Sequence, residues 1–163
     1  NDFAAQKYTE RFGLDLRGIR ICTVFAHGRT TGMTGLIGGL LMSLPAVGKP
    51  VDIPFDPTEA SPMIYAEDAA EIFVRASLSD NLKSPTYISG GHLATIGEVA
   101  DIVRGFIPDA QITTGTGSVP HVYLVDNSRM LSDIGYEMPP LRIRILDHIN
   151  TARQEAGLEP ISA

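Results

Sequence analysis

The chain has 163 residues, of which 44% are apolar and 20% are charged, a composition that is ordinary for one globular domain and excludes extensive disorder. Its formal net charge of −6 argues against a nucleic-acid-binding surface, because such surfaces are normally basic. The longest apolar stretch is short and interrupted by glycines, which argues against a membrane span, and the single Cys22 excludes an internal disulfide framework and fits a reducing cytoplasm.

Helical and strand patterns alternate from the start of the chain. Apolar and aromatic residues at helical spacing predict a helix over residues 3–12, which Gly13 ends. Residues 18–25 form a continuous apolar run, which is typical of a strand that is buried on both faces of a parallel sheet. A loop rich in glycine and threonine, residues 26–34, leads from this strand to a helix of small residues around 35–44.

The same alternation continues to the end of the chain. Short apolar runs predict strands at 51–55, 63–65, 86–89, 111–114 and 122–125, and a flexible segment is expected at 115–118. Helices are predicted at 67–78, from a capping box of Thr95 and Glu98, after the polar cap 126–128, and at 143–155. Strands that alternate with helices predict an α/β fold with at least one parallel pair of strands.

Two polar residues follow the strand predicted at 18–25. Open α/β sheets bind ligands at the carboxyl ends of their strands, so His27 is a candidate ligand-binding residue. Arg29 can offer a bidentate guanidinium fork to a phosphate or a carboxylate. A solvated loop histidine and an unpaired surface arginine are the alternative interpretations of these two positions.

The other polar patterns favour structural roles. His27, His92, His121 and His148 lack metal-ligand spacing, so no metal site is predicted. The glycines of 32–38 do not match a phosphate-binding loop and predict close packing of a helix instead. Carboxylates at 67, 68 and 71 match the amino-terminal dipole of a helix. Tyr65 is expected to be a packed, half-buried ring, and Cys22 an inert core thiol.

Four blocks in a fixed order resemble the carboxyl-terminal half of an extended short-chain dehydrogenase/reductase, of the NAD-dependent epimerase/dehydratase family. Residues 18–29, GIRICTVFAHGR, are similar to the family pattern LRxxNVYGPGR. Residues 63–70, MIYAEDAA, resemble FVHVDDVA. Residues 86–99 resemble YNIGSG followed by a threonine-started helix, and residues 126–139 resemble the late block D-x-SKA…LGWxP.

The resemblance implies a partial NAD(P)-binding Rossmann-type fold together with a small α/β substrate-binding subdomain, over residues 1–163. It places the catalytic tyrosine and lysine of the family, spaced YxxxK, upstream of Asn1, so we expect a truncated chain that lacks the nucleotide-binding half. It also implies NAD or NADP as the cofactor of the intact protein, which this fragment alone is not expected to bind, and a cytoplasmic homodimer.

The resemblance also assigns site residues. Ile21 and Val24 take the places of residues that approach the nicotinamide, and Thr23 takes the place of an asparagine beside the substrate and the cofactor. His27 and Arg29 are expected to line the substrate cleft with Thr23. Ser61 stands where sugar-nucleotide epimerases commonly carry an arginine for the pyrophosphate, and the later arginine expected near 118–121 is missing, which counts against a diphosphate substrate.

The predicted function is therefore that of the substrate-binding portion of an NAD(P)-dependent epimerase, dehydratase or oxidoreductase that acts on a hydroxyl-bearing small molecule, with nucleotide sugars among the candidates. A non-catalytic binding or regulatory remnant of the same fold is the alternative. A self-contained α/β domain unrelated to dehydrogenases is a third interpretation.

Overall fold

The computed structural model of the chain describes residues 2–120 and 124–162. The helices are α1 (Asp2–Phe12), α2 (Gly32–Gly35), α3 (Leu41–Ala46), α4 (Ala66–Leu78), α5 (Ile96–Phe106), α6 (Ser128–Asp133) and α7 (Leu141–Glu155). The strands are β1 (Gly18–Arg20), β2 (Thr23–Phe25), β3 (Val51–Phe55), β4 (Ala60–Tyr65), β5 (Thr86–Ile88), β6 (His92–Thr95) and β7 (Ile112–Gly117). None of the helices within these ranges is long and apolar enough to cross a membrane.

The strands form three small sheets, each with a parallel pair. Strand β1 pairs with β5 and β3 pairs with β7, both in parallel. In the third sheet, β4 lies between β2, to which it is parallel, and β6, to which it is antiparallel. The predicted α/β fold with parallel pairing is confirmed.

The apolar run at 18–25 is two strands and not the single strand that its pattern predicts. Gly18 is in register with Thr86 in one sheet, whereas Thr23 is in register with Met63 in another. Between the two strands, the main-chain N–H of Cys22 donates to the side-chain oxygen of Ser89 at 3.0 Å. The chain therefore changes sheets at residues 21–22, and the side chains around this point border the gap between the two sheets.

Several other predicted elements differ from the observed ones. Strand β6 was not predicted, and β7 runs through most of the segment expected to be flexible, where Gly115 packs against the main chain of Pro54. The strand candidate 122–125 falls partly on residues 121–123, outside the described residues, and Leu124 and Val125 lie outside any strand. The capping box is confirmed, with Thr95 and Glu98 exchanging both hydrogen bonds.

The core consists of two clusters of buried side chains. The larger one packs β2, β3 and β4 against α3, α5 and α7, and it includes Phe25, Ile53, Met63, Val99 and Ile145. The smaller one lies between β5, α4 and α6, and it includes Ile64, Ile72, Tyr87 and Met130. Strand β4 contributes neighbouring residues to both clusters, so it joins the two packed units on either side of the sheet change.

Gly35 and Gly38 pack closely against neighbouring main chain, as predicted for the segment 32–38, and Gly39 does the same, whereas Gly32 has no such neighbour within 4 Å and has a positive φ of 71°. Helix α2 passes through a π-helical turn (Leu36–Leu40) into α3, and such turns are frequent at functional sites. The Gly38 carbonyl accepts a hydrogen bond from the main-chain N–H of Ala26 at 3.2 Å. A Cβ atom on Gly39 would overlap the carbonyl oxygen of Arg29. The helix therefore holds the loop that follows β2.

Gly39→Ala is expected to lower the free energy of unfolding by about 1–3 kcal/mol, because the added methyl group must push the Arg29 main chain away. Urea denaturation followed by circular dichroism measures this change.

Gly105→Ala is the matched control. Gly105 lies inside α5, where alanine is favoured by about 1 kcal/mol, and its new methyl group would meet only the mobile end of the exposed Arg142 side chain. Equal stability of the Gly39→Ala and wild-type proteins would contradict the packing described here.

Candidate functional site

A cleft of about 660 Å³ opens where the chain changes sheets. Its walls come from residues 20–24, from the loop and helix that follow β2, and from the segments at 62, 88 and 124–126. The lining residues are Arg20, Ile21, Cys22, Thr23, Val24, Arg29, Thr34, Pro62, Ile88, Leu124, Val125 and Asp126. A cleft beside the carboxyl ends of parallel strands is where open α/β sheets bind ligands.

The cleft brings together four of the residues predicted for the site. Ile21, Thr23, Val24 and Arg29 all line it. His27 does not line the cleft; it belongs to a polar cluster between the β2–α2 loop and α7. The position of His27 therefore does not support its predicted contact with the substrate.

One wall of the cleft is apolar. The side chains of Ile21, Val24, Ile88 and Val125 are half-buried there. Ligand pockets are typically lined in this way, with a few polar groups that fix the orientation of the ligand.

Thr23 is held by a buried serine. The Ser61 hydroxyl, with 3% of the residue exposed, donates to the Thr23 hydroxyl oxygen at 2.7 Å. A hydroxyl group has one proton to donate besides its lone pairs, so Thr23 keeps its own proton for another acceptor. Ser61 fixes the threonine oxygen, and the threonine O–H is free to donate to a ligand in the cleft.

Arg29 presents an uncompensated positive charge. One guanidinium nitrogen donates to the Val24 carbonyl oxygen at 2.8 Å, and the other donates to the Thr34 hydroxyl oxygen at 2.6 Å. Both acceptors are neutral, and no carboxylate of the described residues forms an ion pair with Arg29. The guanidinium is therefore oriented by the protein while its charge remains available.

The remaining charges of the cleft are Arg20 and Asp126. Arg20 donates two hydrogen bonds to the Asp2 carboxylate, one of them from its Nε atom at 3.1 Å. These hydrogen bonds hold the pKa of Asp2 below its usual value. The pKa of Asp126 is also lowered, because the main-chain N–H of Ser128 donates to its carboxylate at 2.9 Å. Asp126 is therefore ionised at neutral pH and adds negative charge to the cleft.

Two lining residues had another predicted role. Cys22, expected as an inert core thiol, is half-buried and lines the cleft because it lies at the sheet change. Asp126 was interpreted as part of a helix cap, and its carboxylate does accept from Ser128. The position of Asp126 in the fourth family-like block was the only sequence signal for a place in the cleft.

A hydrogen-bonded chain connects two histidines. The Nδ1 atom of His27 lies 2.9 Å from the hydroxyl oxygen of Ser43, which lies 2.7 Å from Nε2 of His148. The other ring nitrogen of His27 lies 3.1 Å from a carboxylate oxygen of Glu155. Because one hydroxyl carries one proton, Ser43 donates to one ring and accepts from the other. The chain ties the β2–α2 loop to α3 and α7.

The described part of the chain, residues 2–120 and 124–162, holds no group of three or more His, Cys, Asp or Glu side chains that could bind a metal ion. His121 lies outside that part.

No protein-family model matches the chain, and no curated protein matches it significantly. Solved structures do match. A GalE-like L-threonine dehydrogenase from Cupriavidus necator in its apo form is 21% identical with a TM-score of 0.80, over 92% of this chain and 58% of that one. UDP-glucose 4-epimerase from Thermotoga maritima, with UDP-glucose, is 14% identical with a TM-score of 0.80, over 95% of this chain and 51% of that one.

UDP-glucuronic acid 4-epimerase from Bacillus cereus, in complex with UDP-glucuronic acid and NAD, is 18% identical with a TM-score of 0.75, over 94% of this chain and 50% of that one. The chain spans about half the length of the solved structures it matches. It therefore shares the fold of part of these dehydrogenases and epimerases, and the fold expected from the four blocks is confirmed.

Proposed function

We propose that the chain is the substrate-binding portion of a longer NAD(P)-dependent enzyme, an epimerase, dehydratase or dehydrogenase, that acts at a hydroxyl-bearing carbon. The observation that carries this proposal is the cleft at the sheet change, which gathers Ile21, Thr23, Val24 and Arg29. The matched structures support it, since they include dehydrogenases and epimerases and one of them holds NAD.

The residues of the cleft fit the proposed ligands. NAD or NADP, when bound, supplies an acceptor for the hydride from the hydroxyl-bearing carbon. Ile21 and Val24 offer the apolar wall against which the nicotinamide lies, and Thr23 donates a hydrogen bond to a substrate oxygen. The tyrosine and lysine that move the hydroxyl proton belong, in this proposal, to the part of the longer protein that precedes Asn1.

The intact protein is proposed to be a homodimer. Helix α1 buries none of its residues, and it exposes Phe3, Tyr8 and Phe12 by 72%, 55% and 57%. Three exposed aromatic side chains on one short helix are typical of a surface that is covered in an assembly. Light scattering of the intact protein measures its mass, and a monomer would contradict this part of the proposal.

The intact gene product tests the proposal. We expect its sequence before Asn1 to contain a YxxxK pair and a glycine-rich fingerprint, and we expect calorimetry to detect binding of NAD or NADP. A full-length protein that lacks both motifs and binds neither nucleotide would overturn the proposal in favour of a non-catalytic remnant of the fold.

Thr23→Val is expected to lower kcat/KM of the intact enzyme about two- to twelvefold, because one hydrogen bond to the substrate, of about 0.5–1.5 kcal/mol, is lost while the side-chain shape is kept. Steady-state formation of the product, measured by chromatography of the quenched reaction, gives kcat/KM for an epimerase, a dehydratase or a dehydrogenase alike. Thr113→Val is the matched control, since this hydroxyl lies in β7 and donates to Asp52. Equal losses in the two variants would contradict a role for Thr23 in the cleft.

A further inference from the structure

We infer that the cleft takes a substrate with a single anionic group, a small hydroxycarboxylate, whose carboxylate binds Arg29, and that it does not take the diphosphate of a nucleotide sugar. This inference rests on the proposed function, because it names the substrate class of the same cleft. It goes beyond that proposal, which specifies only a hydroxyl-bearing carbon and names no anionic group of the substrate.

The charges of the cleft provide the first argument. Of the described residues that line it, Arg20 and Arg29 are the cations and Asp126 is the anion. Arg20 is already paired with the carboxylate of Asp2. Arg29 is thus the cation whose charge is available to a ligand, and one available cation matches one negative charge.

The geometry of Arg29 provides the second argument. Its guanidinium is fixed by two neutral acceptors, the Val24 carbonyl and the Thr34 hydroxyl, and its main chain is packed against Gly39. A guanidinium that is held in this way loses little conformational freedom when a carboxylate binds its remaining N–H groups. The site is therefore oriented before the ligand arrives, as a specific anion site requires.

The surroundings of Thr23 provide the third argument. Arg29 is anchored to the carbonyl group of Val24, the residue that follows Thr23 in β2. The Arg29 guanidinium is thus held at the main chain of the residue that follows Thr23, and both side chains line the cleft. A ligand that carries an oxygen on one carbon and a carboxylate a short distance away satisfies both groups at once.

A diphosphate lacks the partners that it needs here. It carries at least two negative charges, and each charge-assisted hydrogen bond to such a group contributes about 1.5–3 kcal/mol. Ser61 offers no charge, is buried and donates its proton to Thr23. The ionised Asp126 repels any negative charge in the cleft, and this repulsion grows with the charge of the ligand. The described part of the cleft therefore favours a monoanion over a diphosphate.

Ligand binding to the intact protein, saturated with its cofactor, tests the inference. The probes are lactate and 3-hydroxybutyrate, the matched diols propane-1,2-diol and butane-1,3-diol, and uridine diphosphate. We expect at least one hydroxycarboxylate to bind about 10–100-fold more tightly than its diol, which corresponds to one charge-assisted interaction. Uridine diphosphate should bind more weakly than that acid.

Variants of Arg29 complete the experiment. Arg29→Gln should remove the preference for the acid over the diol, whereas Arg29→Lys, which keeps the charge without the fork, should retain part of it. Arg104→Gln is the control, because Arg104 pairs with Asp101 on the exposed side of α5. Circular dichroism verifies that each variant is folded, and if Arg29→Gln is not folded, the comparison is made between Arg29→Lys and the wild-type protein.

The outcomes separate the inference from the proposed function. Equal binding of acids and diols, no binding of either acid, or tighter binding of uridine diphosphate would each overturn the inference, even if the protein reduces NAD or NADP with another alcohol. An acid preference that depends on Arg29, in a protein that binds no nicotinamide cofactor, would support the anion site and overturn the proposed function instead.

Discussion

Replacing Asp68 with asparagine is expected to lower the free energy of unfolding by about 3–5 kcal/mol, because it removes one partner of a buried ion pair. Asp68 is 1% exposed, and its carboxylate accepts hydrogen bonds from Nε of Arg144 at 3.1 Å and from the Tyr136 hydroxyl at 2.6 Å. An arginine side chain is not deprotonated in proteins, so the Arg144 guanidinium stays charged in the variant and loses its buried counter-charge.

Urea denaturation at neutral pH measures the effect, and Asp101→Asn is the matched control. Asp101 also forms an ion pair with an arginine, Arg104, but its side chain is 77% exposed, so its loss should leave the midpoint of unfolding nearly unchanged. Similar midpoints for the Asp68→Asn and wild-type proteins would show that Asp147 and Glu67 compensate the charge of Arg144 without Asp68.

The pair also shows what local sequence patterns leave out. Asp68 lies in the first turn of α4, as the pattern of carboxylates that match the helix dipole predicts. The structure also places Asp68 against Arg144, which is 76 residues away in the sequence. A long-range partner leaves no trace in local spacing, so burial of this carboxylate was not predictable from the helix pattern.

Local signals predicted local structure well. Thr95 and Glu98 form the capping box that their spacing indicates, and Gly13, which follows α1, has the positive φ of 66° that ends a helix readily. The close packing of Gly35 and Gly38 was likewise predictable, because small residues allow a helix to approach its neighbours closely. The capping box and the helix end depend only on residues a few positions apart, whereas Gly38 packs against Val24 and Phe25 of the preceding strand.

The change of sheets at 21–22 could not be predicted from its own sequence. Ile21 and Cys22 are both apolar, so neither marks a break within the run 18–25, and such a run indicates one continuous strand. The break arises because β5 and β4 compete for the two halves of the run. The family resemblance nonetheless placed Ile21, Thr23 and Val24 in one cleft, because it carries information about tertiary structure that periodicity lacks.

His27 illustrates the limit of that resemblance. Its position after a strand favoured a ligand contact, but His27 replaces the proline of the family pattern, and its ring lies between Ser43 and Glu155. The histidine at this position is also connected through the Ser43 hydroxyl to His148, which no sequence motif singled out. This polar cluster therefore contributes to the stability of the fold, and His27 does not line the cleft.

Acidification is expected to destabilise the fold through His148. Its side chain is 0% exposed, and burial, with a smaller contribution from the nearby His27 ring, lowers the pKa of His148 from 6.5 to about 3. The unfolded chain therefore binds a proton below about pH 6.5 that the folded chain does not bind. The stability contributed by the neutral ring is fully present above pH 6.5 and is lost as the pH falls toward 3.

The expected loss of stability can be calculated from the difference between the pH and the ordinary pKa of histidine. At about pH 4.5, two units below the ordinary value of 6.5, the loss relative to pH 7.5 is about 2.7 kcal/mol, at 1.36 kcal/mol for each unit. His148→Gln, which keeps a polar partner for Ser43 but does not titrate, should lack this loss. Urea denaturation of both proteins at the two pH values measures the difference, in which the carboxylates common to both proteins cancel.

Proton NMR of the His148 ring supplies an independent measurement, since a buried neutral imidazole should keep its chemical shift between pH 8 and pH 5. A ring that titrates near 6.5, or equal pH dependence of stability in the two proteins, would contradict the buried neutral state. In that case the chain from His148 through Ser43 to His27 would open to water at mild acidity. Because the β2–α2 loop that carries His27 also carries Arg29, such an opening would be expected to weaken anion binding at the cleft over the same pH range.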